Sequence, residues 1–285
     1  MTVWPDFAPR FRCRAGACGH SCCRGWEIDV DEDSRRFYET VPGPLGKTLL
    51  ASLVTDADGA HFALTGDGRC PLLRSDGLCE LICQLGDGAL CDICAEHPRF
   101  YLDFGDMELC GLGLSCEAVC ALLLAEQGPL GFTVEETGKA LTLSDLLRLG
   151  GCALERELVF VPRPEAESYA RILDVFSRTE PIDEAWTAQL RELQSQLPRL
   201  AKARSKGDFA GVYSRILQYI LYRQLDKLPK YGPEAVLAYA ELCTEFVFLT
   251  DAWTGDTAEA LRRWSEQIEY STENVDLLLQ SLTEN

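Results

Sequence analysis

The spacing of hydrophobic residues divides the chain into two stretches of different character. Beyond residue 140, apolar residues recur every three or four positions over long segments, as they do on the buried face of an amphipathic helix. This pattern predicts helices over Pro164 to Arg178, Ile182 to Leu197, Phe209 to Leu228, Pro233 to Trp253 and Leu261 to Leu282. We therefore expect residues 129–285 to form a C-terminal helical bundle.

Residues 1–128 carry shorter elements that are separated by glycines and prolines. Residues 1–12 look like an extended lead-in, because Pro5 and Pro9 break any helix there. The predicted elements are a helical turn at Cys18–Cys23, a strand at Glu27–Val30, a helix at Asp31–Thr40 capped by an acidic residue, a hairpin of Tyr101–Phe104 with Met107–Leu109 across Gly105-Asp106, and a helix at Ser115–Gln127. The predicted fold is mainly α, with a cysteine-rich N-terminal module of short strands before the bundle.

Cysteine is the residue type that points to chemistry. Twelve of the fourteen cysteines lie before residue 121, which scattered buried thiols would not explain. The N-terminus has no basic segment followed by an apolar one, so we expect a cytoplasmic protein whose thiols stay reduced. Dense cysteines in a reducing compartment favour a metal or an iron–sulfur cluster over disulfides.

The spacing leaves several ligand sets open. Cys13, Cys18, Cys22 and Cys23 form a first group, and Cys70, Cys79, Cys94 and Cys116 are its obvious distant partners. Weaker candidates are Cys83, Cys91, Cys110 and Cys120; Cys91 and Cys94 form a CxxC that is also compatible with a redox pair. His20 is a further candidate for the metal site, and His97 for a base or a structural residue.

Charge and missing motifs exclude several classes of function. The net charge of −18 disfavours a nucleic-acid partner and suits a lysine-bearing one, although a simply solvated acidic surface is the commoner reason for such a charge. No apolar run is long enough to span a bilayer. The chain has neither a GxxxxGK[ST] phosphate loop nor a C-x3-C-x2-C radical-enzyme motif, and the glycines of Glu108–Gly113 lack the alternating β/α context of a dinucleotide fold.

Four stretches of the cysteine-rich region together resemble a known family. They are Phe11-x-Cys13-x4-Cys18-x3-Cys22-Cys23-x-Gly25-Trp26-x-Ile28, Gly68-x-Cys70-Pro71-x-Leu73 followed by Gly77-Leu78-Cys79, Leu85-Gly86-x3-Leu90-x3-Cys94-x3-Pro98-Arg99, and Glu108-x5-Leu114-Ser115-Cys116-Glu117. This set is similar to the flagellin lysine-N-methylases, within a broader group of zinc- or iron-chelating cysteine-cluster proteins. Ile268-Glu269-Tyr270-Ser271-x2-Asn274 resembles the closing helix of that family.

The resemblance implies methyl transfer from S-adenosylmethionine to lysine side chains of flagellin, in a protein with an iron–sulfur cluster. A 4Fe–4S cluster is the first choice and zinc the alternative. The cysteines that match the family pattern, and hence the implied metal ligands, are Cys13, Cys18, Cys22, Cys23, Cys70, Cys79, Cys94 and Cys116. The chain departs from the pattern at Glu117, where proline is usual, and at His97, where an aromatic residue is usual; it is also short for the family.

Two functions from different classes follow. The first is a protein-lysine N-methyltransferase with a cysteine-cluster module in residues 1–128 and a helical domain in residues 129–285. The second is a non-catalytic zinc- or iron–sulfur-binding module with a structural, metal-handling or redox-sensing role. Glu108, Tyr101, Glu269 and Tyr270 are the polar residues of the motif stretches that could orient a substrate amine, and the sequence does not single out one of them.

Overall fold

The computed structural model describes residues 1–57, 59–152, 154, 156–163, 165–204 and 209–283. The strands are β1 (Thr2–Pro5), β2 (Ile28–Asp29), β3 (Leu53–Thr55), β4 (Ala60–Phe62), β5 (Arg99–Phe104), β6 (Met107–Leu112), β7 (Gly131–Val134) and β8 (Ala140–Thr142). The helices are α1 (Glu32–Thr40), α2 (Gly43–Ser52), α3 (Glu80–Leu85), α4 (Asp92–Glu96), α5 (Glu117–Ala125), α6 (Leu143–Leu149), α7 (Ala166–Phe176), α8 (Glu184–Arg204), α9 (Ala210–Arg223), α10 (Leu228–Thr254), α11 (Thr257–Gln267) and α12 (Thr272–Thr283). The predicted fold class, mainly α with short strands in the cysteine-rich region, is confirmed.

The chain forms two compact units, Arg12–Arg99 and the combination of Met1–Phe11 with Phe100–Asn285. This division groups residues 100–128 with the helices, whereas the predicted module of residues 1–128 was defined by its cysteines. The compact units follow from contacts within the chain, whereas the division after residue 128 follows from the positions of the cysteines and stays a prediction.

The larger unit joins a five-stranded sheet to the helical bundle. The sheet order is β5-β6-β1-β7-β8, with β1 parallel to β6 and antiparallel to β7. Residues 1–12 were expected to be only an extended lead-in, but β1 occupies the middle of this sheet and Val3 is fully buried in it. The predicted hairpin across Gly105-Asp106 is confirmed as β5 and β6.

The bundle consists of α7 to α12, whose apolar faces meet in one core. Phe246 of α10 is fully buried and stacks on Phe176 of α7, with ring centroids 4.1 Å apart. Trp186 of α8 lies 5.3 Å from the same Phe246 ring. Gly232 has a φ of 80° and kinks α10 just before Pro233, so the regular helix begins where the sequence predicted it. The predicted start of the first helix of the bundle, Pro164, lies outside the described residues, and α7 begins at Ala166.

The single helix predicted over Leu261 to Leu282 is wrong, because the chain breaks between α11 and α12. Ser271 caps α12 by accepting a hydrogen bond from the Asn274 backbone N–H at 3.1 Å. The Asn274 side-chain amide donates to the Gln267 carbonyl at 3.0 Å and so satisfies the end of α11. Apolar periodicity continues across the break, and only the polar caps reveal it.

The smaller unit has a three-stranded antiparallel sheet, β2-β4-β3, with short helices around it. The predicted acidic cap of α1 is confirmed: Asp31 accepts a hydrogen bond from the Ser34 backbone N–H at 2.8 Å and a second from Asp92 N–H at 2.9 Å. Tyr38 of α1 is fully buried and donates to the Ala89 carbonyl at 2.9 Å. These contacts tie α1 to the segment that carries α4.

Among the described residues, no helix combines the length and apolar character needed to cross a membrane.

Candidate metal centre

The first cysteine-rich loop is fixed to the second by backbone pairing within the smaller unit. Arg24 and Arg69 form an antiparallel bridge, and the Cys70 N–H donates to the Cys23 carbonyl at 2.8 Å. Two residues that lie far apart in sequence are therefore held side by side. Cys23 and Cys70, which the sequence assigned to separate groups of candidate ligands, are thus neighbours through their backbones, and their role as ligands stays a prediction.

The remaining cysteines of this region are placed by short turns and helix starts. A bridge between Leu73 and Cys79 closes a hairpin, and Cys79 stands directly before α3. Cys91 stands directly before α4, and Cys94 follows within the first turn of that helix. Backbone N–H groups at a helix start favour a negatively charged thiolate, which is the form that binds a metal.

Five thiols converge on the small apolar core of this unit. Cys70 and Cys91 are buried in the core, and Cys23, Cys79 and Cys94 pack against it. Cys94 interacts electrostatically with Cys91, Cys23 and Cys70, while Cys70 also interacts with Cys79. We call Cys23, Cys70, Cys79, Cys91 and Cys94 the five-thiol cluster.

The protonation of these thiols is set by burial and by their own hydrogen bonds. A hydrogen bond with Cys22 lowers the pKa of Cys23 to about 7, although burial opposes the change. Burial raises the pKa of Cys70 to about 11 and also raises that of Cys79. The hydrogen bond between Cys91 and Cys94 lowers the pKa of Cys91 and raises that of Cys94, so Cys91 is the thiol of the CxxC that loses its proton more easily.

Four of the eight cysteines implied by the resemblance belong to the five-thiol cluster, and the other four are placed differently. Cys13 and Cys22 are exposed, and Cys18 is partly buried. Cys116 belongs to the larger unit, where it stands directly before α5. Cys22 contacts the five-thiol cluster through its hydrogen bond with Cys23, and the role of all four as ligands stays a prediction.

The helical turn predicted over Cys18–Cys23 is wrong. A single 3-10 turn lies earlier, at Ala15–Ala17, and Cys18 is already extended, with φ −77° and ψ 127°. Cys18 and Cys22 were expected to share a helix face, which this backbone does not provide. The segment lacks the apolar residues that would bury one side of a helix, so spacing alone had no packing to support it.

Cys91 was a weaker candidate in the sequence analysis, and the structure places it in the same small core as four of the implied ligands. Its CxxC with Cys94 is also compatible with a redox pair, and Cys91 lies outside the family pattern. The available signal was its position: Cys79, Cys91 and Cys116 each stand immediately before a helix. A cysteine at a helix start is oriented by the backbone, and this gives it more weight as a ligand than a cysteine in a loop.

The two candidate histidines, His20 and His97, have different surroundings. His97 is largely buried, which lowers its pKa, and its ring lies 6.4 Å from that of Trp26. Trp26 donates its indole N–H to the Cys22 carbonyl at 2.6 Å, so His97 and Trp26 help hold the first cysteine loop. His20 is exposed, and its carbonyl accepts a hydrogen bond from the Cys18 thiol at 3.2 Å.

The donor chemistry of the cluster fits a soft metal, but the distances are not those of a formed coordination shell. Thiolate sulfur is the preferred ligand of iron–sulfur clusters and of structural zinc. Within the described ranges, no group of three or more His, Cys, Asp or Glu side chains is close enough to hold a metal ion. The five thiols would have to draw together around a metal.

The four polar candidates of the motif stretches lie in two different places. Glu108 and Tyr101 are exposed on β6 and β5, where the Tyr101 ring meets the edge of Trp4. Glu269 is buried and Tyr270 lies half-exposed beside it, both in the break between α11 and α12. Glu269 and Tyr270 both contact Arg223: Glu269 forms an ion pair with its guanidinium, and the Tyr270 ring lies beside it.

Comparison with known proteins gives distant relatives. The chain is 28% identical over 126 residues to a lysine-N-methylase of Salmonella typhimurium. The matched segment covers 42% of this chain and 31% of the relative. The chain is 27% identical over 126 residues to the flagellar biosynthetic protein FliU of Salmonella muenchen, covering 42% of this chain and 75% of that protein. A lysine-N-methylase of Salmonella choleraesuis is also 27% identical, with 31% of its length covered.

No protein-family model and no solved structure matches the chain. The chain spans about a third of the length of the two lysine-N-methylases. It is therefore a distant homologue of lysine-N-methylase and FliU proteins over less than half of its own length, which confirms the resemblance indicated by the cysteine motifs.

Proposed function

We propose that this protein transfers methyl groups from S-adenosylmethionine to the ε-amino groups of lysines on flagellin or a similar surface protein. The observation that carries the proposal is its distant homology to lysine-N-methylases and to a flagellar biosynthetic protein. The net charge of −18 adds support, because an acidic protein attracts a lysine-bearing substrate and repels nucleic acid. We expect the reaction to take place in the cytoplasm, where thiols stay reduced.

The metal centre of this proposal is an iron–sulfur cluster, 4Fe–4S by preference and zinc as the alternative, held by the cysteines. Cys23, Cys70, Cys79 and Cys94 are its first candidates, because both the family pattern and the convergence of thiols support them. Cys91 is the fifth candidate. Bound there, the metal would replace a large apolar core as the element that orders the smaller unit.

The chain's own part in the reaction is to bind and orient. S-adenosylmethionine supplies the methyl group. The lysine amine must lose its proton, which burial favours, and must lie in line with the sulfonium methyl. A carboxylate or a tyrosine beside the amine would orient it, and the candidates that the motif stretches offer are Glu108, Tyr101, Glu269 and Tyr270.

One observation favours the second candidate function, a non-catalytic metal module. The smaller unit has its own core, and the converging thiols belong to it rather than to the helical unit. A unit of this kind is sufficient for metal handling or redox sensing without a methyl transfer site.

The decisive experiment is an oxygen-free purification followed by counting of iron, sulfide and zinc. The same sample is then incubated with labelled S-adenosylmethionine and purified flagellin, and the methylated lysines are identified by mass spectrometry. Methyl-lysine on flagellin, lost in a variant with Cys94→Ala and kept in the exposed control Cys83→Ala, is expected. Bound metal without methyl transfer to flagellin or to other surface proteins of the same cell would instead favour the non-catalytic module.

A further inference from the structure

A buried ion pair lies where the end of α9 meets the break between α11 and α12. The Glu269 side chain is fully buried, and its Oε1 lies 3.5 Å from Nε of Arg223, whose side chain is only 12% exposed. The Ser265 hydroxyl donates to the other oxygen, Oε2. Burying both charges is costly unless every polar atom of the pair is satisfied.

The arginine is held between two aromatic rings. Its guanidinium carbon lies 4.1 Å from the Phe100 ring centroid and 5.6 Å from that of Tyr270. Cation–π attraction fixes the plane of the guanidinium without using its N–H groups. Those groups therefore remain available for an acceptor.

The glycine-rich stretch at the end of β6 makes this arrangement possible. A Cβ on Gly111 would come within 2.3 Å of the Phe100 ring, and one on Gly113 would come within 2.0 Å of the Tyr270 hydroxyl. Only glycine lets both rings rest on the strand backbone. The glycines of Glu108–Gly113, which did not fit a dinucleotide fold, thus have a clear role in building the walls of this site.

Two atoms of the ion pair are buried without a hydrogen-bond partner among the described residues: Nη1 of Arg223, a donor, and Oε1 of Glu269, an acceptor whose 3.5 Å contact with Arg223 Nε is an ion pair without a hydrogen bond. The neighbouring polar residues of the same motif are fully used as caps, since Ser271 and Asn274 close the two helices. An unmet donor and an unmet acceptor side by side complement a group that carries one acceptor and one donor. Because the residues themselves are charged, the complementary group is a carboxylate next to an ammonium.

We propose that Arg223 and Glu269 bind the α-amino-carboxylate head group of an amino-acid ligand, with the carboxylate on Arg223 Nη1 and the ammonium on Glu269 Oε1. The inference rests on the proposed function, in which this ligand is S-adenosylmethionine. Tyr270 is half-exposed and forms the side of the site that reaches solvent. Its ring also lies against the Arg223 guanidinium. This assigns a role to Glu269 and Tyr270, and it adds Arg223, which no sequence motif indicated.

The test measures equilibrium binding by calorimetry with ligands that differ only in the head group. Wild-type protein is titrated with S-adenosylmethionine, its decarboxylated analogue, 5′-methylthioadenosine and free methionine. Loss of the carboxylate is expected to weaken binding by about 10- to 100-fold, the usual range for a charge-assisted hydrogen bond. This series needs no substitution, so a misfolded variant cannot obscure the result.

The variants are Arg223→Lys, which keeps the positive charge beside Glu269 but removes Nη1, and Glu269→Gln, which keeps an oxygen for Ser265. The matched control is Arg262→Lys, because Arg262 is 5% exposed and pairs with Glu259 and Glu266 away from Glu269. Arg223→Lys should lose the discrimination between S-adenosylmethionine and its decarboxylated analogue. Glu269→Gln should weaken the binding of both ligands, because both carry the ammonium, and the control should behave as wild type.

The possible results distinguish failure of the head-group site from failure of the proposed methyl transfer. Equal binding of S-adenosylmethionine and the decarboxylated analogue would overturn the head-group site and leave methyl transfer standing. Binding of free methionine alone, dependent on Arg223, would support the site and remove S-adenosylmethionine from the proposed function. A wild-type protein that binds none of the four ligands would overturn the site.

Discussion

The two units of this protein hold their folds by different means. The larger unit buries a core of 55 residues in the described part of the chain, including the stacked Phe176 and Phe246. The unit Arg12–Arg99 buries eleven, and two of these are Cys70 and Cys91. A small unit with so little apolar burial needs another source of stability, and a metal bound by thiolates is the source that its composition offers.

Removal of a buried thiol from the smaller unit should have the largest effect, and it tests whether a metal stabilises that unit. The variant Cys70→Ala should lose bound metal and with it the metal-linked stability of the smaller unit, on the order of 10 kcal/mol for a structural site. Limited proteolysis would then cut within Arg12–Arg99 while the larger unit stays protected. Cys83→Ala, at an exposed thiol, is the matched control and should behave as wild type. Unchanged protection in Cys70→Ala would mean that the small core suffices.

The reverse experiment removes packing from the larger unit. Phe246→Ala deletes a fully buried ring that contacts Phe176 and Trp186, and should lower the free energy of unfolding by about 3–5 kcal/mol. Metal content should be unchanged, because the five-thiol cluster proposed to bind the metal lies in the other unit. Leu149→Ala, at a side chain that is 56% exposed, should change little. Chemical denaturation with metal analysis measures both, and a parallel loss of metal would contradict the separation.

A buried carboxyl of α10 gives the larger unit a predicted dependence on pH. Burial, with Glu165 and Glu241 nearby, raises the pKa of Glu245 from 4.5 to about 7, although the Arg163 backbone N–H donates to it at 2.8 Å. The folded state therefore holds this proton more tightly, and stability should fall as pH rises from about 4.5 through about 7.

Glu245→Gln keeps the acceptor for Arg163 and removes the charge. It should stabilise the protein at pH 8 by about 1–3 kcal/mol and have little effect near pH 5. Urea unfolding at the two pH values measures the difference. Equal effects at both would show that Glu245 is not the titrating group.

The smallest predicted effect concerns the cap of α1 in the smaller unit. Asp31→Ala removes the acceptor for Ser34 and Asp92 N–H and should cost about 1 kcal/mol. These hydrogen bonds lower the pKa of Asp31 against the effect of burial, so the contribution is present above its ordinary value of 3.8 and is lost as pH falls below it. The exposed Asp33→Ala is the control, and thermal unfolding of the metal-loaded protein measures both; equal midpoints would contradict a capping role.

Sequence periodicity predicted the helices of the larger unit well, because each buries one face against its neighbours. It failed at the break before Ser271, where apolar spacing continues while polar caps end one helix and start the next. It also failed at Cys18–Cys23, where four-residue spacing had no packing to support a helix. Among the thiols, the family pattern identified four members of the five-thiol cluster and missed Cys91, whose weight comes from its place at the start of α4.

The sequence by itself determined the helical class, the acidic charge, the density of thiols in the first 120 residues and the kinship with lysine-N-methylases, because periodicity, composition and motifs are local properties. Only the tertiary structure decided that β1 lies in the middle of a sheet and that the backbones of Cys23 and Cys70 are hydrogen-bonded. It also decided that Arg223, between the rings of Phe100 and Tyr270, forms an ion pair with Glu269. These features join residues that are distant along the chain. Burial of one partner against another fixes them, and no local pattern records which partner that will be.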